Sequence, residues 1–599
     1  MNVGWKTLRR IVALLAACTA LAGCDPLPGG SFRSDLPPGP LTDLMADYWQ
    51  MKLRETPVHA TVVGEHRYDD QLDDLSDTAR IAGIAGRRAL LARLDALDLS
   101  RDPAGNRLNA ELFRRAVTDE ITAAELPGRW IPISQQEGPH IALPMLRVSQ
   151  PLSSREESLR YAARLGAFPR QVEQVIERMR GGMGAGVVPP KVTMAQVVPQ
   201  LDAQIVDDPA RSELFTVWAE RRAAKADAGE RQAMLDGTRR AVEGYRALRD
   251  FVKNEYLPKC TDTVGIGHLP GGAAWYATEV RLHTTTQRTP EDLHAVGMAE
   301  LERIHGEMRA IMRRVGFEGE IPAFMDHLRQ RADLHAQSGA ELMSGFAAIL
   351  KRSDAELPKV FGRLPKTPYT LREIESFRAA AAPAAYYYPA PDDHSRPAYF
   401  YVNVFDPKQR PKYTMEALAY HEAMPGHHLQ LALAQECRGL PDFRRHQYIT
   451  AYCEGWGLYS ECLGKDLGGY RDPYSDFGRL TFDAWRSCRL VVDTGMHALG
   501  WTRQQAIDFM KANTALSQID IESEVDRYIA WPGQALAYKV GQIEIMRMRT
   551  EAAAALGPRF DLRVFHDELL AEGPLPLDLL QTRMDEWLTR QRRPAVAAR

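Results

Sequence analysis

The sequence predicts a mainly α fold: a large helical body with a small β-sheet next to a helix that carries histidines. Three observations predict it. Apolar residues recur three and four apart, with charges between them, almost without interruption over residues 41–257. Residues 396–405, R-P-A-Y-F-Y-V-N-V-F, alternate between two kinds of side chain and form the clearest strand. Soon after it, residues 420–429 read Y-H-E-A-M-P-G-H-H-L, a helical stretch interrupted by Pro425 and Gly426.

The composition is that of an ordinary globular chain. Of its 599 residues, 26% are charged and 45% hydrophobic, enough to bury a large core. The formal net charge is -3, and -6 once Lys6, Arg9 and Arg10 are set aside. No basic run with interleaved aromatics is present, which argues against nucleic acid as a partner. Those three basic residues precede an apolar run over residues 11–22 that is short for a bilayer span. The run closes on Leu21-Ala22-Gly23-Cys24, which resembles a bacterial lipobox. The resemblance implies a signal peptide over residues 1–23, lipidation of Cys24 and attachment to a membrane of the cell envelope, facing the periplasm. Residues 24–40, rich in Pro, Gly and Ser, are expected to form a flexible tether, with residues 41–599 as the helical domain. Five cysteines remain in the body: Cys260, Cys437, Cys453, Cys462 and Cys488. Their spacing fits no zinc finger, and they are expected as buried thiols or one or two disulfides.

In order along the chain, helices are expected over residues 43–54 and 76–97, from Ser153-Ser154 to Gly181-Gly182, and over 216–251. Glycines between 265 and 272 suggest a turn or short hairpin. Thr289-Pro290-Glu291-Asp292 opens another helix, with acids in its first turn. In the strand 396–405, Tyr399, Tyr401 and Asn403 share one face, and Phe400, Val402 and Val404 the other. It is either a sheet edge, along which a peptide backbone can add, or a core strand. Thr414 is expected to cap a helix reaching Met424. Further helices are expected over 427–438, 441–463 and 482–497, with a last block over 531–549.

His421, His427 and His428 offer imidazole ligands, and Glu422 a carboxylate able to take a proton from water. In an unbroken helix, six residues from His421 point His427 away from it. Seven return His428 to the same face about 10.5 Å along the axis, beyond the reach of one metal. A shared metal therefore requires Pro425 and Gly426 to loop out, which favours His427 as the second ligand and leaves His428 as the alternative. Zinc needs a third protein ligand, for which Glu454, in Cys453-Glu454-Gly455-Trp456-Gly457, is the candidate. Its flanking glycines would admit close packing on the histidines. Glu461, two turns on, is either the alternative ligand or a partner of a metal-binding histidine.

Four blocks, H-E-A-M-P-G-H-H-L-Q, E-G-W-G-L-Y-S-E, R-L-V-V-D-T-G-M-H and P-G-Q-A-L-A-Y-K-V-G-Q, together resemble the bacterial family catalogued as domain of unknown function 885. The motifs lie within about residues 265–545. That family is grouped with the gluzincin zinc peptidases, similar to the thimet-oligopeptidase type. The resemblance implies a helical body with a deep cleft, a zinc ion on His421, on one of the paired histidines and on Glu454, and Glu422 as general base. The spacing departs from strict H-E-x-x-H at the second ligand.

Arg489, Asp493 and His497 recur every four residues along one helix face. Asp493 is a candidate to accept the outer N–H of a metal-binding histidine. His497 and Arg489 are candidates to meet a substrate carboxylate or a developing oxyanion. Tyr538 is a candidate hydrogen-bond donor to a tetrahedral intermediate. The expected activity is zinc-dependent hydrolysis of peptides. The rival expectations are a lipid-tethered binding or scaffold protein and a metal-dependent hydrolase of non-peptide amides.

Overall fold

The computed structural model describes residues 35–592 except 375–378, 380 and 381. The signal segment, Cys24 and the tether up to residue 34 lie outside the described residues. The chain is mainly helical, with one three-stranded sheet among the described residues. None of the described helices is long and apolar enough to cross a membrane. The five cysteines of the body are free thiols.

The amino-terminal helices follow the apolar periodicity. The helix Asp77–Asp95 starts where the Ser76 side chain accepts from Ala79 N, and Arg155–Ala185 starts at a Ser154–Glu157 capping box. Such caps satisfy backbone donors that the first turn leaves unpaired and are worth about 1 kcal/mol each. The helix expected over 216–251 is two, Glu213–Arg222 and Ala228–Phe251, because Asp227 caps the second through Glu230 N. Arg155–Ala185 and Ala228–Phe251 pack along one another over Phe168, Val175 and Tyr245, and Trp218 of Glu213–Arg222 joins the same core. A larger core runs from Leu41 to Trp587 and ties the two ends of the chain together. The expected turn or hairpin around residues 265–272 is a single 3-10 turn, Ile266–His268, leading into the helix Gly272–Thr284.

The sheet comprises β1 (Tyr369–Glu373), β2 (Ala385–Tyr388) and β3 (Ala398–Val402), in the order β1-β3-β2. β3 runs parallel to β1 and antiparallel to β2. The strand read from the sequence is thus central, and no peptide can add to it. Phe400 and Val402 face the main body, while Tyr401 is covered by Tyr386 and Tyr399 on the other side. The sheet edge nearest the histidines belongs to β2, whose Tyr387 touches both Glu422 and His428.

Past the sheet, the helix Met415–Glu422 ends two residues earlier than expected, and the Thr414 hydroxyl bonds Pro411 O instead of capping it. Residues 441–463 do not form one helix. A short turn, Asp442–Arg445, is followed by an irregular link and then the helix Thr450–Leu463. The long helix Pro473–His497 and the helix Ala537–Leu556 complete the body around it. In the block expected over 531–549, Trp531 stands in the turn between Gln518–Ala530 and Ala537–Leu556, and the second helix follows.

Candidate metal centre

The helix breaks between Glu422 and His427. The residues between them form a turn, and His427 opens a new helix, His427–Glu436. The break has identifiable anchors. Pro425 O accepts from Trp456 Nε1 at 2.9 Å and from Ser460 Oγ at 3.3 Å. A Cβ on residue 426 would lie 1.9 Å from His421 O, so the turn closes this tightly only with glycine. The two rings that the turn brings back together stand 4.7 Å apart at 87°.

Glu454 reaches both from the helix Thr450–Leu463. Its Oε2 is 3.5 Å from His421 Nε2 and 3.5 Å from His427 Nε2. One ligand atom from each of His421, His427 and Glu454 falls within 4.8 Å of the others, and all three residues are buried. Gly457, about one turn after Glu454, explains how the helix comes so close: a Cβ there would sit 2.7 Å from His421 Cε1.

The surroundings orient these groups. His421 donates Nδ1–H to Glu461 Oε1 at 2.8 Å, which leaves Nε2 facing Glu454. Glu461 is paired in turn with Arg486 at 3.1 Å. Tyr448, in the irregular link, donates its hydroxyl to Glu454 Oε1 at 2.7 Å. Glu422 accepts from the outward N–H of Tyr387, on the edge strand β2, at 3.0 Å. Burial opposes charge on His421, but the carboxylates of Glu454 and Glu461 outweigh it and lift its pKa to about 10. Burial likewise opposes charge on Glu454, yet hydrogen bonds to His421 and His427 hold it well below the usual carboxylate range. Glu422 is raised, chiefly by burial, although both neighbouring histidines pull it down.

Several candidates stand elsewhere than the sequence suggested. His428 does not join the group: one residue beyond His427 it is turned by about 100°. Its Nδ1 accepts from Tyr387 OH at 3.1 Å, its ring packs on Tyr369, and burial lowers its pKa to about 4. Asp493 does not receive a metal-binding histidine. It accepts from Tyr276 OH at 2.5 Å and Gly533 N at 3.1 Å, and burial raises its carboxyl to about 7. The partner of His421 is Glu461. His497 faces no substrate, because Nδ1 accepts from Ile266 N and Nε2 donates to Tyr528 O. Arg489, 2% exposed, binds Glu524 and the Tyr528 hydroxyl, and its guanidinium lies 4.1 Å from the centre of the Tyr538 ring. It supports Tyr538 rather than a ligand. Tyr538 lies against the site, its ring nearly parallel to His421 at 6.4 Å, with Arg527 donating to its hydroxyl. Sequence reasoning missed Tyr448, Tyr387, Arg486 and Arg527. Only Arg486 left a trace, as a charge among apolar residues of one helix.

Two cavities, each of about 490 Å³, flank the link that carries Tyr448, and both are lined by Ala123, Tyr448 and Thr450. Tyr448 is 50% exposed, yet burial raises its hydroxyl pKa well above the usual value. Its exposed part lines the two cavities.

Fold and site together define a helical protein with a buried two-histidine, one-carboxylate group, tied through Tyr448 to the link between the two cavities. The chain belongs to the family described as bacterial protein of unknown function (DUF885), whose profile matches residues 57–584. It is similar to the crystal structure of "the putative lipoprotein from Colwellia psychrerythraea". The two are 28% identical with a TM-score of 0.86, over 92% of this chain and 99% of that one. A structure of "a putative lipoprotein of unknown function from Shewanella oneidensis" shares the fold. Its TM-score is 0.69 at 18% identity, covering 91% and 99% of the two chains. No curated protein matches.

Proposed function

We propose that this protein is a zinc-dependent peptidase of the gluzincin type, tethered to the cell envelope by a lipid on Cys24 and facing the periplasm. The observation that carries the reading is the convergence of His421, His427 and Glu454 beside Glu422. The donors suit the ion. Ligands 2.0–2.1 Å from a tetrahedral zinc are about 3.3 Å from one another, close to the 3.5 Å separations of both imidazoles from Glu454. Zinc in that position supplies Lewis acidity, polarising a carbonyl and acidifying water.

The rest is the work of the chain. Glu422, held by Tyr387 N–H, takes the proton of the attacking water and returns it to the leaving amine. Its raised affinity for a proton suits both halves of that task. Tyr538, packed on His421, is the hydroxyl assigned to the oxygen on which charge develops. The outer edge of β2 lies beside Glu422, to which it gives the Tyr387 N–H, and its remaining length suits an extended peptide laid along it. The lipobox and the description of the two similar structures as putative lipoproteins support the tether.

Glu422→Gln tests the reading. It should retain zinc at wild-type stoichiometry by elemental analysis while peptide turnover falls by about 10²–10⁴. Unchanged turnover, or a wild-type protein that takes up no metal, removes the assignment.

A further inference from the structure

The two carboxylate oxygens of Glu454 have different neighbours. Oε2 lies 3.5 Å from each of the two imidazoles, and Oε1 accepts from the Tyr448 hydroxyl at 2.7 Å. No other donor among the described residues reaches Oε1. The last torsion of a glutamate is broad and nearly two-fold, so a carboxylate left to itself presents either oxygen over a range of angles. The bond from Tyr448 removes that freedom.

The backbone delivers the hydroxyl. Tyr448 precedes Glu454 by six residues, which in a continuous helix would point the two side chains about 120° apart. The chain is not helical there. Ile449 is extended, with φ −93° and ψ 106°, and the helix begins only at Thr450. The Glu454 side chain leans toward the amino end of its helix, as helical side chains do, and so meets a tyrosine folded back over the first turn. The link is fixed on both sides of Tyr448. Ile449 is buried in the largest core, and His446 stacks on Trp49 and bonds Asp392 Oδ2 at 2.9 Å. The Tyr448 ring itself is half exposed, so what it supplies to the site is its hydroxyl rather than core packing.

We infer that Tyr448 is a positioning residue of the metal centre: its hydroxyl holds Glu454 turned so that Oε2, and not Oε1, is offered beside His421 and His427. Groups that hydrogen-bond a metal ligand orient it and set how tightly the ion is kept. Glu461 does this for His421. His427 has no such partner, since its Nδ1 is buried without a hydrogen bond among the described residues. The orientation of the group therefore depends on two outside contacts, and Tyr448 makes one of them. The inference rests on the zinc centre of the proposed function but not on a peptide being the substrate.

The test measures zinc affinity of the full chain by competition with chromophoric chelators, in the wild type, Tyr448→Phe, Glu454→Ala and the double variant. Tyr448→Phe takes one oxygen from a half-exposed side chain and keeps the ring. It should bind zinc about 10–100-fold more weakly than the wild type. In the Glu454→Ala background no carboxylate remains to be turned, and the same substitution should change affinity by less than about threefold. A hydroxyl that served only the fold would cost the same in both backgrounds, so an equal loss in the two overturns the inference. Zinc bound as tightly by Tyr448→Phe as by the wild type also overturns it, and leaves the peptidase reading standing. The expected pattern of affinities without peptide hydrolysis keeps the role of Tyr448 and sinks the peptidase reading. A wild-type chain with no affinity for zinc ends both.

Discussion

At the scale of single residues, the histidines divide by what their nitrogens touch. His421 is flanked by two carboxylates and gains protons, whereas His497 and His566 are buried against backbone carbonyls and lose them. His566 donates Nδ1–H to Val360 O and accepts from Tyr459 OH, and burial lowers its pKa to about 3; His497 is lowered to about 4. Their folded values lie below the ordinary 6.5, so the unfolded chain binds protons that the folded chain refuses. Stability is therefore undiminished above pH 6.5 and falls as pH drops from 6.5 toward 4 and 3, by on the order of 3 kcal/mol per histidine. Thermal melts between pH 7.5 and 4.5 should show this decline. His566→Gln should show a shallower one, even if it starts from a lower melting temperature. The residue types at 421–428 already pointed to metal chemistry. Which histidine belonged to which environment did not show in them, because His427 and His428 differ by one step of a helix whose starting point the sequence left open.

At the scale of elements, the site depends on the close approach of the helix Thr450–Leu463 to the broken helix. A methyl group at position 457 would lie 2.7 Å from the His421 ring, and neither side can retreat without moving Glu454 or the Pro425 turn. Gly457→Ala should therefore cost about 1–3 kcal/mol and weaken metal retention. Melting and elemental analysis check the two effects, and full metal retention would show that the ring has room to move. The Pro-Gly break was legible as a break, since those residue types end helices wherever they fall. The interruption at residues 446–449 was not. Gln447-Tyr448-Ile449 contains no proline or glycine, and the departure from helix follows instead from docking Tyr448 against Glu454.

At the scale of the whole molecule, buried charges lock the long helices into one frame. Lys539 Nζ binds Asp483 at 2.6 Å and Glu300 at 2.8 Å, and Arg303 binds Asp483 at 3.0 Å. These contacts join Pro290–Arg314, Pro473–His497 and Ala537–Leu556. Burial opposes charge on Asp483, but Lys539 and Arg303 hold it ionised, at about 2. Removing one member strands the others, so Lys539→Met should destabilise the fold by about 3–5 kcal/mol in denaturant titrations. Because Lys539 follows Tyr538, the same variant should also loosen the ring packed on His421.

Local patterns by themselves determined the helical class, the strand at β3, the break at Pro425–Gly426 and the residue types of the candidate site. Each of these is written in the period or backbone chemistry of neighbouring residues. Only the tertiary structure decided that β3 is central, that Glu461 rather than Asp493 holds His421, that Arg489 and His497 serve the framework, and that Tyr448 is held against Glu454. Those outcomes depend on which helices meet and at what depth. Contacts between residues far apart in the chain set them, and such contacts leave no periodic trace in the sequence.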